Sequence, residues 1–152
     1  MKVATVYKTL KNEFKIVTQS KTTAGYLIYV LPVYIIPAIS SDEILLSTVF
    51  KALDSSTDGV KAPERSDFPK IQRDILSQLK EKSFDKLYSN STSCNLRVEN
   101  GAMKIYPNKL VTDGPSKGGL VWVEEDKVTI EDSEKNHDLV IFTIRKILDH
   151  KY

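Results

Sequence analysis

Cysteine is nearly absent: Cys94 is the only one in 152 residues. That excludes an internal disulfide and any cysteine-rich zinc site, and it suits a reducing compartment. Histidine is almost as scarce. His137 and His150 fall thirteen residues apart on one predicted helix, about 20 Å along its axis, so within one chain they cannot share a metal or act as acid and base on one phosphate. A basic excess is missing too: 22 Lys and Arg against 20 Asp and Glu leave a net charge of +2, which argues against a general nucleic-acid binder. No hydrophobic run reaches the roughly 20 residues of a membrane-spanning helix. The longest, Gly25–Ile39, is 15 residues long, is broken by Pro32 and Pro37, and carries Tyr26, Tyr29 and Tyr34. Because 24 mostly polar residues precede it, it does not suit a secretory signal either. Low-complexity stretches and linkers are also lacking. With 41% hydrophobic and 28% charged residues, the sequence reads as one soluble, cytoplasmic domain spanning 1–152.

The pattern that is present alternates strands with a few helices. Val3–Tyr7 and Phe14–Thr18 are β-branched and aromatic, with a turn at Leu10–Glu13. The Tyr26–Ile36 run follows Gly25, and its prolines predict an edge strand, a bend or a strand end. Ser40-Ser41-Asp42-Glu43 has capping-box spacing and predicts a helix over 41–54, with Leu46, Val49, Phe50 and Leu53 on one face. Asp54–Asp67 reads as a polar loop. A second helix is expected over 68–82, with Pro69 in its first turn and Ile71, Ile75, Leu76 and Leu79 buried. Strand pattern is expected again from Phe84. Asn100-Gly101 predicts a hairpin that pairs Leu96 and Val98 with Met103 and Ile105. Leu120–Val123 and Val128–Ile130 form a second expected hairpin around Glu124–Lys127. A last helix over 133–149 buries Val140, Ile141, Ile144, Ile147 and Leu148. Glu43–Leu53 and Asp138–Leu148 match in chemistry at Leu45/Val140, Leu46/Ile141, Thr48/Thr143, Val49/Ile144, Lys51/Lys146 and Leu53/Leu148, as two amphipathic helices with similar packing do. The fold class expected is α+β, one antiparallel or mixed sheet with about three packed helices.

Catalytic motifs are not evident. Cys94 has no base beside it, Gly114–Gly119 lacks Walker spacing and reads as a turn, and no nucleophile elbow, zincin helix or carboxylate pair appears. No cofactor or metal is expected. Charge is unevenly spread: Met1–Ile39 carries a net +4, and Glu124–Asp138 a net −5. Acids at a helix N-terminus account for Asp132 and Glu134. They do not account for Glu124, Glu125 and Asp126, three like charges at one turn. A basic partner would.

The order of elements, with Gly25-Tyr26-Leu27-Ile28-Tyr29, Pro32, Pro37, Ser41-Asp42-Glu43 and the Asn100-Gly101 hairpin, resembles immunity proteins of bacterial contact-dependent growth inhibition. The resemblance implies a non-catalytic, cytoplasmic α+β domain. It would bind and neutralise one toxin domain, the C-terminal region of a large secreted effector. Within that family the chain looks most like a partner of a ribonuclease A-like toxin, so the expected partner is a basic nuclease, with no membrane and no direct nucleic-acid binding. The toxin-facing residues expected from charge are Glu124, Glu125, Asp126, Glu131 and Asp132. Two other classes stay open at this point. One is a small nucleic-acid-binding module that uses the basic N-terminal strands, with Tyr7 and Phe14 as stacking platforms. The other is a small enzyme drawing on His137, Cys94 or Tyr106.

Overall fold

The computed structural model describes every residue from Met1 to Tyr152. Its strands are β1 (Lys2–Thr9), β2 (Glu13–Thr22), β3 (Leu27–Pro37), β4 (Asp58–Val60), β5 (Ser91–Glu99), β6 (Ala102–Leu110), β7 (Leu120–Trp122) and β8 (Val128–Glu131). The helices are α1 (Asp42–Ser55), α2 (Phe68–Leu79), α3 (Phe84–Ser89) and α4 (His137–Leu148). One sheet holds all eight strands in the order β3-β2-β1-β5-β6, with β7 and β8 both on the outer side of β6. Every pairing is antiparallel except that of β4, which runs parallel to the end of β2. The α+β expectation holds.

Local chemistry explains the main elements. Asn100 and Gly101 both take positive φ, 54° and 74°, between the paired Glu99 and Ala102. That is the left-handed two-residue turn that matches strand twist. Ser41 caps α1 by accepting from the Ile44 N–H. β3 is an edge strand, so Pro32 and Pro37 remove no inner ladder bond. Opposite Val17 and Thr18 its register jumps from Val33 to Val30, leaving Leu31 and Pro32 as a bulge.

Period-2 alternation then sorts the side chains into two layers. Ala4 and Val6 of β1, Phe14 and Ile16 of β2, Cys94 and Leu96 of β5, and Met103 and Ile105 of β6 form the larger core with α1 and α4. Helix α1 lies over β1–β3 and α4 over β5, β6 and β8, so this face is covered from edge to edge. The two helices run antiparallel: Arg145 near the end of α4 bonds Asp42 at the start of α1 at 2.6 Å, and His137 packs on Phe50. On the opposite face a smaller core gathers Tyr7, Val17, Ile75, Leu79 and Leu87 under α2 and α3. That cover stops at β5, and no helix lies over the outer half of this face.

Four expectations need correction. Phe84–Ser89 is a helix, not strand: Ser83 caps it by accepting from the Lys86 N–H, and Leu87 anchors it. It adds a fourth helix to the three whose ranges were expected. The second helix ends at Leu79, because Lys80 turns left-handed with φ 55°. The last helix starts at His137 after a 3₁₀ turn at Glu134–Asn136. Most important, β7 and β8 do not form a hairpin. Each pairs with β6, at Asn108↔Trp122 and Ile105↔Val128, so they are one edge strand interrupted by a 3₁₀ turn at Glu124–Asp126. Pro107 accepts from the Val123 N–H but has no N–H to return, and the ladder breaks there. In α1 the buried stripe is centred on Leu45, Val49, Ala52 and Leu53, with Leu46 and Phe50 on its flank.

Ser56 ties three elements together at the C-cap of α1. Its hydroxyl accepts from the Val3 N–H at 2.9 Å and donates to the Gln19 carbonyl at 2.5 Å. Ser56→Ala leaves both backbone groups unpaired in a buried position. The expected loss is about 1–3 kcal/mol in urea unfolding, and a loss no greater than that of Ser55→Ala on the exposed helix end would contradict it.

Under α2 and α3 the Tyr7 and Tyr29 hydroxyls bond each other, and the Tyr88 ring stacks on Tyr7. Burial, reinforced by neighbouring tyrosines, pushes Tyr7 and Tyr29 well above the usual phenol value. An unfolded tyrosine ionises near pH ~10. Above that pH the unfolded state loses protons that the native state keeps, so stability falls as pH rises through the alkaline range and is unaffected below it. Titration of tyrosinate absorbance should show exposed tyrosines ionising reversibly first, with Tyr7 and Tyr29 following only as the fold is lost. One reversible step for all seven tyrosines with native structure intact would contradict this.

Candidate partner-binding face

The half of the second face without a helix is built by β1, β2, β5, β6 and the β7–β8 edge. Alternation points Thr5, Gln19, Asn95, Arg97, Lys104, Tyr106 and Asn108 to this side, and Trp122 lies across from Asn108. These side chains close over the sheet themselves. The Arg97 Nε donates to Asn95 Oδ1 at 3.1 Å, and Asn95 Nδ2 donates to Thr5 Oγ1 at 3.0 Å and to Gln19 Oε1 at 2.8 Å. The Thr5 hydroxyl completes the chain by donating to Gln19 Oε1 at 2.6 Å. Asn95, Thr5 and Gln19 each make two or more of these bonds and Arg97 makes one, so the amide and hydroxyl groups in mid-sheet are paired within the protein.

Arg97 links this network to an aromatic pair. Its guanidinium lies 3.6 Å from the Trp122 ring centroid and 5.5 Å from that of Tyr106. The two rings are 5.8 Å apart and tilted. One guanidinium nitrogen, Nη2, is buried with no hydrogen-bond acceptor, and the ring faces stand in its place. Partial burial lowers the Arg97 pKa from its usual value, opposed by Tyr106, Glu124 and Glu99. Trp122 is 43% exposed although it is the largest side-chain type. Beside the stack a hollow of about 240 Å³ opens between Met1, Arg97, Glu99, Lys104 and Tyr106.

The expected acidic residues rim this face, in two groups. Glu124, Glu125 and Asp126 form the 3₁₀ turn that loops out beside Tyr106 and Pro107. Glu131 ends β8 and Asp132 follows it, about 13 Å farther along the edge. Ile130 packs into the core, and Glu131 is exposed, as alternation requires. The turn is not a bare negative knob at a hairpin tip. Glu124 accepts from Lys127 at 2.7 Å, and this bond, with the charges of Lys127, Lys104 and Arg97, holds its carboxyl below the usual value. Glu131 has Lys135 at 3.7 Å, whereas Glu125, Asp126 and Asp132 have no cation within 4.0 Å.

The residues weighed for catalysis do not converge. Cys94 is fully buried beneath α1 and α4, and burial pushes its thiol far above the usual range. His137 sits at the outer seam of those helices against Phe50. Tyr106 is on the opposite face. Tyr7 and Phe14 are 0% and 1% exposed and cannot serve as stacking platforms. No three His, Cys, Asp or Glu side chains lie close enough to hold a metal ion, and no helix is long and apolar enough to cross a membrane. Arg97, Asn95 and Trp122 escaped the sequence reading. For Asn95 and Arg97 the signal was the polar phase of β5 (Ser93, Asn95, Arg97) set against its apolar phase (Cys94, Leu96, Val98).

No protein-family model matches the chain, and no curated protein does. Solved structures do. A protein of unknown function from Neisseria meningitidis is 22% identical with a TM-score of 0.68, covering 97% of this chain and 92% of that one. A chain of the CdiA-CT/CdiI toxin and immunity complex from Yersinia pseudotuberculosis is 16% identical with a TM-score of 0.68, covering 99% and 97%. The fold is thus shared with a member of a toxin–immunity pair. The likeness runs the length of both chains and concerns architecture.

Asn95 is the junction of the polar network. Asn95→Ala removes the acceptor for Arg97 and two donors, so a loss of about 1–3 kcal/mol is expected in chemical denaturation. Trp122, the only tryptophan, should meanwhile become more quenchable by acrylamide as Arg97 loosens. Unchanged stability and quenching would contradict the network.

Proposed function

We propose that this chain is a cytoplasmic, non-catalytic immunity protein that binds and neutralises a toxin domain. The toxin domain is the C-terminal region of a large secreted effector and acts as a basic nuclease of the ribonuclease A-like kind. The observation that carries the reading is the end-to-end likeness to a chain of a toxin and immunity complex. The dispersal of Cys94, His137 and Tyr106 supports a binding role over an enzymatic one. Burial of Tyr7 and Phe14 removes the stacking surface that an RNA-binding module would need.

The toxin docks on the uncovered half of the sheet and its rim. Trp, Tyr and Arg are the residues that dominate interface energetics when packed and desolvated, and Trp122, Tyr106 and Arg97 form such a cluster. Glu125, Asp126, Glu131 and Asp132 offer negative charge to a basic partner, while Glu124 contributes less because Lys127 already holds it. Such an acidic rim steers encounter and matches the positive groove with which a nuclease meets phosphates.

Co-expression with the toxin domain encoded immediately upstream should rescue growth, and purified toxin domain should form a complex with this chain. Lysine reversal of Glu124, Glu125 and Asp126 should slow association about 10-fold or more at low ionic strength, with the difference shrinking as salt rises. Reversal of Glu125 and Asp126 alone should give most of that effect. Absence of rescue and of a complex overturns the function, whereas a complex that forms unchanged with the triple variant overturns only the placement of the interface.

A further inference from the structure

Away from that face, the β1–β2 turn and the α2–α3 link enclose a hollow of about 460 Å³. Lys11, Lys80, Lys82 and Lys86 line it, with Thr9 and Asn90 as neutral polar wall and Leu10 as the apolar one. All four lysines are exposed. None has a carboxylate within 4.0 Å, although Lys2, Lys8, Lys15, Lys70, Lys127 and Lys135 each do. The one acid in the hollow, Glu81, is answered from beneath. The buried Lys15 ammonium lies 3.6 Å from its carboxylate and also donates to the Leu79 carbonyl at 2.6 Å. The four outer charges therefore face one cavity without a counter-charge of their own. Like charges so gathered repel one another and favour an anion among them.

We propose that this hollow is a binding site for an anion bearing several adjacent phosphates. Its size lies within the roughly 300–1,000 Å³ of small-molecule sites. Four ammoniums around one cavity suit an anion whose charge is spread over several adjacent groups, and lysine binds phosphate as a point charge. The backbone around it is fixed: Lys80 is held left-handed by N–H bonds to the end of α2, and Leu10 donates to the Asn90 carbonyl. The phosphates come either from a free polyphosphate or nucleotide or from a nucleic-acid backbone threaded through the cavity.

The test is titration of the full chain with tripolyphosphate, orthophosphate and a single-stranded RNA oligonucleotide, followed by calorimetry and amide chemical shifts. Tripolyphosphate should bind once per chain, about 10-fold or more tighter than orthophosphate, with shifts confined to residues 9–12 and 80–90. Replacing Lys11, Lys80, Lys82 and Lys86 with Gln should weaken it about 10-fold or more, while the same change at Lys51, Lys61, Lys117 and Lys146 should alter it less than about 2-fold. Because all eight positions are exposed, folding persists in both variants, and circular dichroism verifies it. RNA that competes with tripolyphosphate at these residues assigns the backbone source, and RNA that does not compete assigns the free one. Equal weakening by the two lysine sets, or no saturable binding of tripolyphosphate, overturns the site.

Discussion

The strict alternation of β1 and β5 at the centre of the sheet is the constraint on which the rest depends. Each strand must satisfy two layers at once, because neighbouring side chains point to opposite faces. Ala4, Val6, Cys94 and Leu96 commit one face to α1 and α4. Tyr7 commits one end of the other face to α2 and α3, while Thr5, Asn95 and Arg97 commit its remaining half to hydrogen bonding. A helix laid on that half would strand those polar groups against apolar side chains. The sheet instead carries its own roof, made of Gln19, Arg97, Tyr106 and Trp122. A one-residue slip of β5 would turn Arg97 into the main core and expel Leu96, so the same register that builds the core also builds the candidate face.

How much of this could be read from the sequence depended on the range of the deciding interaction. Helices α1, α2 and α4 span 12 to 14 residues, enough turns for their apolar stripes to show. The Asn100-Gly101 turn is decided by two adjacent residues with positive φ. Helix α3 has six residues, too few for a helical period to emerge, and its Phe84, Leu87 and Tyr88 look equally like strand. Two short apolar runs flanking Glu124–Lys127 look like a hairpin. Only the third strand decides otherwise, since β6 offers both runs an edge and Pro107 breaks the ladder between them. The acidic turn was therefore found but placed in the wrong setting, with Lys127 unrecognised as its partner. The Arg97–Trp122 stack joins residues 25 apart across β6, and nothing local announces it.

Two surfaces of opposite character result. The β6–β8 edge presents aromatic and guanidinium groups with an acidic rim, while the turn joining β1 and β2 meets the α2–α3 link in a lysine-lined hollow. A chain with net charge of only +2 thus separates its charges in space, which favours selective partners over general attraction to polyanions. The architecture itself is shared with a chain from a toxin and immunity complex.

Amide hydrogen exchange of this chain, alone and with the proposed toxin partner, tests the docking face most directly. Docking on the uncovered half of the sheet predicts new protection in β7, β8 and the Glu124–Asp126 turn, with α1 and α4 unchanged. Protection confined to the outer surfaces of α1 and α4, with the β7–β8 edge exchanging as in the free chain, would contradict it.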